Sequence, residues 1–271
     1  MKRLSLAALG MAGTLCAAAL CTGAATAVPD PRGAPKLAPH TITEGRTSTV
    51  APHSGVNVNV PCQSPEQSSG GGVRTTGNGV FITASWSSAG WEAEVYNETD
   101  TPQTVWAVSI CTPQGHTRRS SIPTTQVPMG ESGIARAACP AGTEVTGGGN
   151  IGGAQGNDRM YVSQSSDIGD EWTVRAFNAS PFQQRIATQV VCSNTPHSSR
   201  SSNGTQLGVG VTGTSHAECP AGEVPTGGGG LGNPSVFFNE SYPTPTGWTV
   251  RATNRGTQPL TVFARVNCTQ P

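Results

Sequence analysis

Charge is scarce in this 271-residue chain: Asp, Glu, Lys and Arg make up 12% of it, and lysine occurs only as Lys2 and Lys36. Acids and bases balance at 16 each, so the net basic surface that holds nucleic acid or anionic lipid is missing. Aromatic residues are few, at 5%, which leaves little large apolar material for a core. Beyond the first residues no stretch approaches the ~18 apolar residues that span a bilayer, excluding a membrane-inserted helix. Glycine and proline recur every few positions and leave no lasting 3.6-residue apolar stripe, which excludes a helical fold. No Gly-x-Ser-x-Gly nucleophile elbow occurs. The histidines, His40, His53, His116, His197 and His216, do not pair at metal-ligand spacing, and none is expected to recur between repeats. The expectation is a non-enzymatic protein with no catalytic residues, metal or cofactor.

What is present begins with an export signal. Met1-Lys2-Arg3 precedes an alanine-rich apolar stretch from Leu4 to Leu20, and Ala25-Thr26-Ala27 precedes Val28-Pro29. A basic start, a short apolar middle and small residues at a cut site describe a secretory signal peptide over 1–27. Cys16 and Cys21 both follow leucine, against a lipoprotein cysteine. The segment 28–49, with Pro29, Pro31, Pro35 and Pro39, reads as a flexible leader.

The rest is one unit repeated three times. Six cysteines fall as Cys62 with Cys111, Cys139 with Cys192 and Cys219 with Cys268, separated by 49, 53 and 49 residues. An even count in an exported chain reads as three disulfides, and this pairing alone treats equivalent units equivalently without linking them. Each opening cysteine is followed in register by a triple glycine (Gly70–Gly72, Gly147–Gly149, Gly227–Gly229), a tryptophan (Trp91, Trp172, Trp248) and an asparagine (Asn97, Asn178, Asn254). The repeats are placed at about 50–111, 112–192 and 193–268 within a single domain, 50–271. Four extra residues in the second are assigned to a surface loop at Gly152–Arg159.

Around the tryptophans the period is two. In WEAEVYN, WTVRAFN and WTVRATN, alternate positions give Trp, small apolar residues and Asn on a face that repeats, and varied residues on the other. The repeating face is expected to be buried and the varied face solvated. A lone unit of this size is marginal, so the three are expected to share a core. The fold expected is all-β, a pseudo-threefold β-prism with a complete sheet in each repeat. A β-trefoil is the alternative.

The cadence Cys139-Pro140-Ala141-Gly142, Thr146-Gly147-Gly148-Gly149, Trp172-Thr173-Val174-Arg175-Ala176-Phe177-Asn178, closed by Cys192, resembles repeats of uncharacterised secreted actinobacterial proteins. Copy one departs from it, with Cys62-Gln63-Ser64-Pro65. The threefold plan is more distantly similar to the vitelline membrane outer layer prism. That likeness implies architecture and no activity.

Gly147, Gly149 and Gly152, like Gly227, Gly229 and Gly232, spell G-x-G-x-x-G. With no helix to follow, these glycines read as close-packing positions and not as a dinucleotide site. The tryptophans read as core, and the asparagines as pins for neighbouring backbone. The functional signal is divergence: copy one carries Trp86, Tyr96, Trp106, Val108 and Ile110, the last four on the varied face. An outward aromatic patch marks a partner site, or a surface covered by the leader. The function expected is a secreted binding or structural protein acting on an extracellular protein or glycan. An inhibitor of a secreted hydrolase is the alternative, and an extracellular hydrolase the third reading.

Overall fold

The computed structural model describes residues 39–151 and 159–271, and among them every regular element is a strand. The signal peptide, the leader as far as residue 38 and the loop residues 152–158 lie outside the described residues. Repeat one supplies β1 (Thr41–Glu44), β2 (Ser48–Val50), β3 (Ser54–Pro61), β4 (Gln67–Thr75), β5 (Val80–Ser87), β6 (Gly90–Asn97) and β7 (Gln103–Thr112). Repeat two supplies β8 (Thr117–Ser120), β9 (Thr125–Val127), β10 (Ser132–Ala138), β11 (Glu144–Ile151), β12 (Met160–Ile168), β13 (Glu171–Asn178) and β14 (Gln184–Ser193). Repeat three supplies β15 (Ser198–Ser201), β16 (Thr205–Leu207), β17 (Thr212–Glu218), β18 (Val224–Gly232), β19 (Val236–Thr244), β20 (Gly247–Asn254) and β21 (Leu260–Thr269).

These strands form three seven-stranded antiparallel sheets, a prism-like pseudo-threefold arrangement and not a closed barrel. No repeat owns a sheet, contrary to expectation. Sheet I runs β1-β7-β4-β19-β20-β17, sheet II β3-β6-β5-β11-β14-β8 and sheet III β10-β13-β12-β18-β21-β15, with β2, β9 and β16 on β7, β14 and β21. Each repeat therefore splits between two sheets, and each sheet has a joint where strands of two repeats meet: β4 with β19, β5 with β11, β12 with β18. The three expected disulfides are formed within repeats. Because the repeats are split, each disulfide ties one sheet to the next.

The triple glycines make this sharing possible. A Cβ on Gly70, Gly147 or Gly227 would collide with backbone of another repeat's triplet, as at 2.5 Å from the Gly227 Cα for Gly70. One on Gly71, Gly148 or Gly228 would strike the indole of Trp91, Trp172 or Trp248 at about 2.5 Å. One on Gly72, Gly149 or Gly229 would lie within 1.8 Å of the Ser241, Ser85 or Ser165 carbonyl oxygen across a joint. Close backbone approach of this kind admits only glycine. Just before the triplets a ring of hydroxyls closes the centre. Ser69 Oγ donates to the Thr226 carbonyl (2.7 Å), Thr226 Oγ1 to Thr146 (3.3 Å) and Thr146 Oγ1 to Ser69 (2.9 Å). Phe81, Tyr161 and Phe237, one from each repeat, form a second shared cluster with ring centroids 5.1 to 6.0 Å apart.

Trp91, Trp172 and Trp248 are fully buried, each indole N–H donating to a serine hydroxyl (Ser85, Ser165, Ser241). Asn97, Asn178 and Asn254 are buried and donate to backbone carbonyls of nearby turns, Asn178 to Val127 and Phe182. The varied face of β13 and β20 is less solvated than alternation suggests, since Thr173 and Thr249 are buried there too. The leader reading fails from Thr41 onward. β1 and β2 pair with β7 as β8 and β9 pair with β14, so 41–50 is the first arm of repeat one.

Candidate functional site

The outward face of sheet I carries a continuous row of large side chains. Arg74 on β4 stands opposite Trp106 on β7, and its guanidinium lies 5.0 Å from the Trp106 ring centroid and 4.5 Å from that of Tyr242 on β19. These distances are those of cation–π stacking. Arg74 also donates to Glu44 Oε1 at 3.0 Å. The row continues through Thr249 on β20, opposite Tyr242, to His216 on β17, whose Nδ1 is 3.0 Å from Thr249 Oγ1. Trp106, Arg74 and Tyr242 are each half-buried, and the buried Trp106 indole nitrogen has no partner. The corresponding positions of sheet II hold Ala187, Ile151 and Trp86, and those of sheet III Phe263, Leu231 and Ser166. Sheet I alone has aromatic, cation and aromatic in sequence.

The partner-site residues expected from copy one do not converge. Trp106 lies on sheet I, whereas Trp86 and Tyr96 lie on sheet II, because β4 and β7 part company with β5 and β6. Tyr96 is half-buried, its hydroxyl donating to the His53 carbonyl (2.9 Å) and its ring 5.5 Å from the Arg159 guanidinium. Val108 and Ile110 are fully buried and are corrected from outward to interior. Alternation holds along β7, but both faces of that strand are covered. Trp86 corresponds in register to Ser166 and Tyr242, because the stretch from Trp86 to Trp91 is one residue shorter than those from Ser166 to Trp172 and from Tyr242 to Trp248. Arg74, Tyr242, Glu44 and His216 were missed. They belong to different repeats, and no signal in one repeat places them together.

The histidines do recur. His40, His116 and His197 each immediately precede the first arm strand of a repeat. His116 and His197 share a pose, with ring Nδ1 on the carbonyl two residues earlier and backbone N–H on the side chain of Gln67 or Glu144. Burial pushes the His116 pKa down to about 4 and also lowers that of His197. Both rings are therefore neutral at pH 7. Thr249, His216 and Glu218 line up like a nucleophile, base and acid. Glu218, however, is 71% exposed and 3.7 Å from the ring, too far for a hydrogen bond. Among the described residues no three His, Cys, Asp or Glu side chains are grouped to hold a metal, and no helix is long and apolar enough to cross a membrane. The chain matches no protein-family model and no curated protein sequence.

Proposed function

We propose that this is a secreted, non-enzymatic binding protein that holds an extracellular glycan on the outer face of sheet I. The observation carrying this reading is the Trp106–Arg74–Tyr242 stack on a disulfide-tied scaffold. Half-buried rings offer apolar surface to a sugar, while the guanidinium and the Glu44 carboxylate offer a donor and an acceptor for its hydroxyls. Ion pairing with Glu44 and stacking on two rings hold Arg74 in place, so little side-chain freedom is lost on binding. Export rests on the N-terminal signal and on three disulfides, which persist outside the cytosol. The test is retention on insoluble polysaccharides and peptidoglycan. Trp106→Ser combined with Tyr242→Ser should abolish retention while the thermal midpoint moves by a few degrees. A wild-type protein that binds none of these polymers, or a double variant that binds as well as wild type, would reject the reading.

A second reading has its own support. Ile122, Phe182 and Met129, on the connections of repeat two, are 92%, 71% and 63% exposed, and apolar loops on a cross-linked frame suit an inhibitor of a secreted hydrolase. Stoichiometric loss of such a hydrolase's activity, abolished by Phe182→Ser, identifies it.

A further inference from the structure

Beside the joint of sheet III lies a cavity of about 200 Å³, lined by residues of repeats two and three and bordered by the start of β11 in sheet II. Its walls include Asp167 on β12, Asn267 on β21, Ser199 on β15 and the ring of His197, with the exposed carboxylates of Glu144 and Asp170 at its rim. Asp167 has a side chain only 6% exposed. Its Oδ2 is saturated, accepting from Arg265 (3.0 Å) and Ser199 Oγ (2.9 Å), whereas its buried Oδ1 has no partner. Asn267 Nδ2 and His197 Nε2 are likewise buried without partners. Buried polar groups in native proteins are almost always hydrogen-bonded, so the orphaned acceptor of Asp167 on this cavity calls for an explanation; the Asn267 amide nitrogen is a donor and would need an acceptor instead.

Folding does not supply it for Asp167 and Asn267, because the positions of Ser199, Asp167, Arg265 and Asn267 are filled differently at the sister joints; the orphaned Nε2 of His197, by contrast, recurs at His116. Pairing registers equate Ser199, Asp167, Arg265 and Asn267 with Ile42, Pro243, Val108 and Ile110 in sheet I. There all four are apolar, and Ile110 belongs to the main core. Sheet II has Arg118, Ser87, Gln189 and Val191. Arg118 stands where sheet III has Ser199, and its guanidinium donates to the Ser88 carbonyl of the adjacent hairpin. One joint thus has hydrocarbon at these positions, and at the other an arginine of the chain itself reaches the Ser88 carbonyl and lines a pocket with it. The third has a serine in place of that arginine, and carboxylates around the opening.

We propose that the sheet III joint is a binding site for an external organic cation, a guanidinium or primary ammonium group, occupying the place that Arg118 takes in sheet II. The Asp167 Oδ1 and the His197 Nε2 lone pair accept its protons, because His197 Nδ1 is committed to the Thr195 carbonyl at 2.7 Å. Glu144 and Asp170 attract the charge to the opening. The cation can be a small free amine or the side chain of an arginine or lysine on a polypeptide.

The test is calorimetric titration of the disulfide-intact protein with agmatine, cadaverine and a glycine-flanked arginine pentapeptide, against 1-pentanol as the neutral control. Saturable binding of the cations without binding of pentanol is expected. Tighter binding of the peptide points to a polypeptide partner, and tighter binding of the free amines to a small ligand. Ser199→Arg should fill the site with the protein's own guanidinium, leaving the fold intact and weakening cation binding about tenfold or more. Asp167→Asn should weaken it similarly, and if that variant fails to fold, Ser199→Arg still decides. No cation binding by the wild type, equal binding of pentanol, or undiminished binding by folded Ser199→Arg would overturn the proposal.

Discussion

The joints of sheets I and III are built on the same backbone plan and differ in what fills them. In sheet I, Ile110 and Val108 are fully buried, with Ile42 packed against the core cluster that holds Ile110. In sheet III the equivalent residues are Asn267, Arg265 and Ser199; Arg265 and Ser199 bond Asp167 directly, and Asn267, Ser199 and Asp167 line a cavity. A buried ion pair with orphaned hydrogen-bonding groups is a poorer source of stability than well-packed hydrocarbon. The molecule shows that hydrocarbon works at this position. What its threefold symmetry requires is carried elsewhere, by the glycines, the hydroxyl ring and the tryptophans, and the joints are free to diverge.

The largest effect should come where the joints are alike. Gly72→Ala places a Cβ 1.7 Å from the Ser241 carbonyl oxygen, and Gly229→Ala places one 1.8 Å from that of Ser165. Both should prevent folding or cost at least ~3 kcal/mol by urea denaturation, since the obstacle is backbone and not a movable side chain. Tolerance at one and not the other would mean that the two joints differ in backbone as well as in filling. Next in size, Arg265→Val alone should cost about 3 kcal/mol by leaving Asp167 buried and unpaired, and adding Asp167→Pro and Asn267→Ile should recover most of it. Failure of that rescue would show the polar set to be structural.

A smaller effect is expected from pH. The folded pKa of His116 is lowered from 6.5 to about 4 by burial, so the unfolded chain binds more protons between those values. Its contribution to stability is complete above pH 6.5 and is lost as pH falls toward 4. The thermal midpoint should decline over that window, and His116→Asn should flatten the decline. His197 shifts in the same direction, and its replacement by Asn should flatten the remainder. Occupation of the sheet III joint by a cation should change only the share due to His197.

Much of the fold could be read in advance because its signals are local. The period of two around Trp172 marks its buried face, and the register of Cys139, Gly147–Gly149 and Asn178 identifies a repeat without reference to the others. Asn178 as a backbone pin follows from an amide on an apolar face. The histidine recurrence was also there to be read, since His116 and His197 each stand just past a closing cysteine. It was hidden by beginning repeat one at 50, which cut His40 away from its arm.

The amino-acid sequence by itself determined that the described residues are β throughout, that there are three equivalent units, how six of the cysteines pair and which face of each tryptophan strand is buried. These follow from side-chain period and fixed spacing, which act over a few residues or within one repeat. Only the tertiary structure decided that β4 pairs with β19 and not with β5, because a joint is formed by backbone groups that any strand presents alike. That choice buries Val108 and Ile110, separates Trp106 from Trp86, brings Tyr242 beside Arg74 and turns Asp167 toward Arg265. Both candidate sites lie across joints between repeats, so their residues stand far apart in the chain and meet only when the three units fold together.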